Sequence, residues 1–158
     1  MANCVTRKSW ARVAIPTKPQ SPKELDLKQL AKGGRTMRYM MIWKPADVKT
    51  VESGVPPTQE MMQKMGAFIA ELAQSGVLLM TDGLQPSSKG ARVRRSGGKI
   101  TVTDGPFAET KELIGGFAIV QVGSKAEAIE LTKRFLNVAG DGESEIRLMP
   151  EQPAYVRR

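Results

Sequence analysis

Three carboxylates and one ammonium fall within nine positions of the segment Thr103–Phe117 (TDGPFAETKELIGGF): Asp104, Glu109, Lys111 and Glu112. Groups this close in sequence could act on one another's charge, as an acid–base site requires. Asp104 stands at a strand end. Gly105 behind it permits unusual backbone angles and Pro106 fixes the next one, so the turn presents Asp104 in a defined place. Asp104 is therefore the expected acid–base residue, with Asp82, at the end of another strand, the second candidate. Lys111 or Arg94 would anchor an anion, and Glu109 and Glu112 complete the binding set. The plainer alternative is that Asp104 caps the turn while Glu109, Lys111 and Glu112 form solvated ion pairs.

Composition narrows the chemistry further. The 158 residues include no histidine, which removes Ser-His-Asp and Cys-His nucleophile systems, the HExxH metal motif and every imidazole acid or base. The single cysteine, Cys4, rules out an internal disulfide framework and a Cys-rich zinc site. The glycine pairs at 97–98 and 115–116 lack the GxGxxG spacing or a following GK[ST] of a phosphate loop. No cofactor and no metal are expected; a divalent cation would find only the carboxylates Asp104, Glu109 and Glu112. No apolar run approaches the roughly 18 residues of a membrane-spanning helix, and no membrane association is expected.

The elements that must position these groups follow from periodicity. Arg38–Lys44 (RYMMIWK) is apolar on both faces, the mark of a central strand, and Pro45 is expected to stop it. Thr58, after Pro56-Pro57, is a plausible N-cap for a helix whose stripe is Met61, Met62, Met65, Phe68, Ile69, Leu72 and Ala73, ending at Gly76. Val77–Thr81 reads as a strand. Ala91–Arg95 and Lys99–Thr103 alternate around a Ser96-Gly97-Gly98 turn, with Ala91, Val93, Ile100 and Val102 expected inward and Arg92, Arg94, Lys99 and Thr101 outward. Phe117–Val122 is a further strand, apolar on both faces apart from Gln121. Ser124-Lys125-Ala126-Glu127 is a capping box opening a helix that buries Ala128, Ile129, Leu131, Thr132, Phe135 and Leu136, and Glu145–Met149 supplies the last strand. The order β-α-β-hairpin-β-α-β predicts an α+β fold of the ferredoxin-like kind, with two helices on one face of the sheet. Strands that are apolar on both faces then demand cover on the helix-free side. A homodimer with facing sheets is expected.

The net charge of +8 is uneven. Residues 1–36 carry eight basic and two acidic side chains, leaving only +2 for the other 122. With Pro16, Pro19 and Pro22, short apolar periodicity and Gly33-Gly34 at its end, this stretch is expected to be a flexible basic extension. Residues 37–158 form the folded domain. Arg7, Lys8 and Arg12 precede any acidic residue, as in a mitochondrial-type leader, but Lys32-Gly33-Gly34 just upstream of Met37 can be encoded by a purine-rich ribosome-binding sequence. The expectation is that Met37 is the start and residues 1–36 are translated leader. No 7–15-residue apolar core of a secretory signal is present, and the protein is expected in the cytoplasm.

Asp104-Gly105-Pro106-Phe107 with Ala108-Glu109-Thr110-Lys111-Glu112 and Gly115-Gly116-Phe117 resembles the signature of DGPF-domain proteins within the YCII-related family. The opening strand, Leu84-Gln85-Pro86 and the closing strand lie in matching places, so the resemblance covers about residues 37–150. It implies a ferredoxin-like subunit that forms a dimeric α+β barrel. It implies little about activity: most DGPF proteins have no established biochemical function, and some carry transcription-initiation or sigma-factor labels. Related YCII proteins are thought to use a His–Asp pair in a cleft, and a dehydrochlorinase of chlorinated hydroxyhydroquinone belongs to the wider group. This chain, without histidine, departs from that pattern.

Three functions compete. The first is a small-molecule enzyme or binder using the carboxylate site of the DGPF loop. The second is a regulatory protein-interaction module, sigma-factor-associated by the family label alone. The third is a nucleic-acid binder of the RNA-recognition type, suggested by Gly116–Val122 and the basic residues Arg92, Arg94, Arg95 and Lys99. Against the third, Ile119 and Val122 stand where stacking aromatics are wanted and aromatics total 5%.

Overall fold

The computed structural model describes residues 36–107 and 113–151. Strand β1 (Met37–Pro45) is followed by a short helix α1 (Val48–Glu52), helix α2 (Gln59–Gln74) and strand β2 (Leu78–Gly83). After a 3-10 turn at Ser87–Lys89 come β3 (Ala91–Ser96), β4 (Lys99–Asp104), β5 (Gly116–Val122), α3 (Lys125–Ala139) and β6 (Gly142–Leu148). Four strands form an antiparallel sheet in the order β2-β5-β1-β6, while β3 and β4 make a separate two-stranded ribbon. This α+β arrangement is compatible with a ferredoxin-like fold. No described helix is long and apolar enough to cross a membrane.

The helix ends form where the sequence predicts them. Thr58 Oγ1 accepts the Met61 N–H at 3.3 Å, opening α2. Ser124 Oγ accepts the Glu127 N–H at 3.2 Å, and the Glu127 carboxylate reaches back to the Gly123 N–H at 2.8 Å, closing the box one residue earlier than the Ser124 N–H. Two elements lie outside the sequence-based expectation. Strand β1 pairs through Pro45, whose partner is Gly142 at the start of the edge strand β6. Helix α1 is opened by Asp47, whose carboxylate accepts the Thr50 N–H at 3.1 Å.

The core lies between one sheet face and the helices. Tyr39 and Met41 of β1 and Val120 and Val122 of β5 meet Phe68 and Leu72 of α2 and Ala128 and Leu131 of α3. Helix α2 buries less than its apolar stripe suggests: Met61 and Met62 are exposed and only Phe68 and Leu72 are fully covered. The alternate residues Met40, Ile42, Phe117 and Ile119 face the other side of the sheet and are half-buried, confirming strands that are apolar on both faces.

One irregularity decides what joins them. The register shifts between Leu78 and Met80, so Leu79 is an extra residue. Without that bulge Met80 and Asp82 would share the helix-covered face with Leu78; with it, Met80 pairs with Ile119 and Asp82 with Phe117, on the open face.

The ribbon corrects a second expectation. Val93, Ile100 and Val102, expected inward, are 69%, 61% and 65% exposed. The alternation is as predicted, but the ribbon leaves the main sheet, and no other described part of the chain covers its apolar side.

Candidate functional site

Asp104 ends β4 and begins the DGPF turn, and three contacts fix that turn to distant parts of the chain. The Gly105 N–H donates to the Gly90 carbonyl at 2.9 Å. The Phe107 N–H donates to Ser87 Oγ at 3.2 Å. Ser87 in turn is held by Glu52 of α1, whose carboxylate accepts the Ser87 N–H at 2.8 Å and, through its other oxygen, the Ser87 hydroxyl. The approach is so close that a Cβ on Gly105 would lie 1.8 Å from the Ser87 carbonyl oxygen. Here glycine serves for space. The Gly105–Pro106 peptide bond is cis.

These contacts show what sequence reasoning missed. Glu52 and Ser87 are 35 residues apart and belong to no motif. Only the local turn had a signal: Pro86 before and Gly90 after Ser87–Lys89 are turn residues, and Gly90 N–H bonds back to the Ser87 carbonyl at 3.0 Å.

The predicted site residues are divided rather than gathered. Asp104 is exposed and pairs across the ribbon with Ala91, which puts it on the same face as Val93 and Val102. Arg94 pairs with Thr101, on the opposite face with Arg92 and Thr103. The ribbon therefore separates Asp104 from Arg94. Asp82 is exposed on the open face of the main sheet, in the row of Phe117 and Ile42. Glu109, Lys111 and Glu112 lie outside the described residues. Among the described residues no three His, Cys, Asp or Glu side chains come together as metal ligands.

On the Arg94 side a cleft of about 410 Å³ opens between ribbon and turn, lined by Arg92, Arg94, Thr101, Thr103, Pro106 and Phe107. The Arg92 guanidinium carbon is 4.1 Å from the centre of the Phe107 ring, a cation–π contact that ties the turn to the ribbon.

The hydrogen bonds from Ser87, first its hydroxyl and then its backbone N–H, hold the Glu52 carboxyl below its ordinary value of 4.5. A carboxylate whose pKa falls on folding stabilises the fold fully above the unfolded value, and that contribution is lost as pH drops through the lower folded value. Glu52→Gln is accordingly expected to lower the urea midpoint at pH 7. The gap between variant and wild type narrows as the pH is taken well below 4.5. A gap that persists unchanged in acid would show that the charge of Glu52 is not what holds Ser87.

Comparison with known proteins agrees with the motif. One relative, an uncharacterised protein of Rhizobium meliloti (strain 1021), is 32% identical over 90 residues, which are 56% of this chain and 73% of the relative. The model of the YCII-related domain matches residues 37–150, which take in all of β1 through β6, and the chain belongs to that family.

Proposed function

We propose that the protein is a homodimeric small-molecule binder or enzyme of the ferredoxin-like, dimeric α+β barrel type, working at its DGPF turn. The observation that carries this reading is the fastening of that turn. A loop held by Gly90, Ser87 and Glu52 keeps Asp104 and Phe107 in fixed places, which a binding or catalytic constellation needs and a solvated surface loop does not.

The homodimer supplies what the single chain lacks. Met40, Ile42, Phe117 and Ile119 form a continuous apolar centre on the helix-free sheet face, and Met80 beside them is 56% exposed. A second copy is the self-complementary cover for such a face, since twofold symmetry presents apolar centre to apolar centre. Asp82 would then lie within reach of the interface. Asp104 shares its ribbon face with Val93 and Val102, so any cover laid over these two also withdraws water from the carboxylate.

Two measurements test the proposal together. Sedimentation equilibrium of the full chain should return a dimer, and Ile119→Glu, which puts a charge in the middle of the open face, a folded monomer. Saturation-transfer NMR against a library of small acids, phenols and alcohols should find ligands that Asp104→Asn loses without unfolding. A stable monomeric wild type removes the dimer, and ligands indifferent to Asp104→Asn remove the carboxylate site.

A further inference from the structure

We propose that the cleft on the polar face of the β3–β4 ribbon binds a small organic oxyanion, a carboxylate or a phosphate monoester, through Arg92, Arg94, Thr101 and Thr103. This rests on the small-molecule reading only through the DGPF turn, whose Pro106 and Phe107 line the cleft, while Asp104 serves the opposite face of the ribbon.

The arrangement follows from strand geometry. Arg92 pairs with Thr103 and Arg94 with Thr101, so two guanidinium–hydroxyl pairs stand next to each other on one face. Neighbours along a strand face are about 7 Å apart and directly opposed residues about 5 Å apart. A carboxylate or phosphate group fits inside such a rectangle with oxygens directed to both guanidinium groups. Arginine suits this task because its planar fork donates two parallel hydrogen bonds to one oxyanion.

Neither guanidinium is neutralised within the described chain. Among the described residues Arg94 has no ion pair or hydrogen bond, and Arg92 has only its cation–π contact with Phe107. That contact uses no hydrogen bond, so the guanidinium N–H groups remain for an acceptor, and it holds the side chain in place beforehand. Asp104, the carboxylate of the same ribbon, is on the other face. The contrast with the groove of about 470 Å³ between α2 and α3 is informative. There Arg134 also stacks on a ring, Phe68, but Glu71 already neutralises it at 2.7 Å.

Size and shape favour a small ligand over a nucleic acid. About 410 Å³ lies within the range of small-molecule sites. Single-stranded nucleic acid is gripped by aromatic faces on which bases stack, and the one ring in this cleft is already stacked with Arg92.

The test is calorimetry on the full chain with phenyl phosphate, benzoate and neutral benzamide as probes. Phenyl phosphate or benzoate should bind, benzamide should not, and which anion binds more tightly tells phosphate from carboxylate. Arg94→Gln should weaken that binding at least tenfold and Thr101→Val several-fold. Arg95→Gln removes the same charge from the opposite face of the ribbon, where Arg95 pairs with Ile100, and should change affinity less than twofold. Asp104→Asn separates the two proposals. Anion binding that survives Asp104→Asn but not Arg94→Gln supports the cleft even if Asp104 has no role. Library ligands that need Asp104 but not Arg94 keep the small-molecule reading and overturn the cleft. Absence of anion binding overturns it, and so does equal loss in Arg94→Gln and Arg95→Gln, which marks a diffuse basic surface. Tighter, salt-sensitive binding of a uridine oligonucleotide lost equally in both variants would likewise replace the cleft with a nucleic-acid surface.

Discussion

Gly105→Ala is expected to be the most damaging single methyl in this protein. Its Cβ would lie 1.8 Å from the Ser87 carbonyl oxygen, 2.6 Å from the Ser87 carbonyl carbon and 3.1 Å from the Ser88 nitrogen, all backbone atoms that cannot swing aside. Relief requires the DGPF turn and the Ser87–Lys89 turn to move apart. That separation strains the Gly105–Gly90 hydrogen bond, the Phe107–Ser87 hydrogen bond and the grip of Glu52 on Ser87 together. Overpacking of a fitted contact costs about 1–3 kcal/mol, and a rigid backbone neighbour places this case at or above the top of that range. A loss of about 3 kcal/mol corresponds to a thermal midpoint lowered by roughly 6–12 °C in a chain of this size. Gly66→Ala is the matched control. A Cβ at Gly66, in the middle of α2, meets nothing within 4 Å. The helix should gain about 0.5–1 kcal/mol from the lost backbone freedom of glycine. Calorimetric scans of the two variants should move in opposite directions, and a Gly105→Ala protein melting with the wild type would show that the two turns do not press together.

Gly115→Ala is expected to be the next most costly, through the indole of Trp43. The new Cβ would meet Trp43 Cε3 at 2.7 Å and Cζ3 at 2.8 Å, with Pro45 Cδ at 3.2 Å. The ring has no room to retreat. A Cβ at Gly142 would stand 2.9 Å from Trp43 Nε1, so the indole already fills the space that this glycine leaves, and Phe135 meets the ring edge-on at a centroid distance of 6.0 Å. The expected loss is about 1–3 kcal/mol, with a change in tryptophan emission as the indole is displaced. Trp43→Phe should rescue part of it, because the smaller ring vacates the position that the methyl enters. Among the described residues the buried Trp43 Nε1 has no hydrogen-bond partner, so the exchange for phenylalanine sacrifices no bond there. A double-mutant cycle reads the coupling directly: the pair should be destabilised by less than the sum of the two single changes. Strict additivity would show that the methyl and the indole never meet.

In Thr103–Phe117 the carboxylates suggest chemistry, whereas the structure gives its glycines a steric purpose. Gly105 lets two turns touch, Gly115 admits Trp43, and a Cβ on Gly116 would lie 2.8 Å from the Asp82 carbonyl oxygen of β2. The strand alternation that sets Arg94 apart from Asp104 was legible as well. With Thr101 outward and Val102 inward, Asp104 falls on the apolar side of the ribbon and Arg94 on the polar side. A single site combining the two asks the ribbon to present both faces at once.

The amino-acid sequence alone determined the six strands, the two long helices, their order and the family, because caps, turns and periodicities of 2 and 3.6 are written within a few residues of one another. Thr58, Ser124, the Gly97-Gly98 turn and the doubly apolar β1 and β5 are all of that kind. It also determined that these 158 residues supply no imidazole. Only the tertiary structure decided which side of the sheet Asp82 joins, since one bulge residue, Leu79, reverses the face of everything after it. Only it could seat Ser87 on Glu52 and Phe107 on Ser87. Those pairings join segments tens of residues apart, and contact at such separation is fixed by how whole elements pack, which no short stretch of sequence encodes.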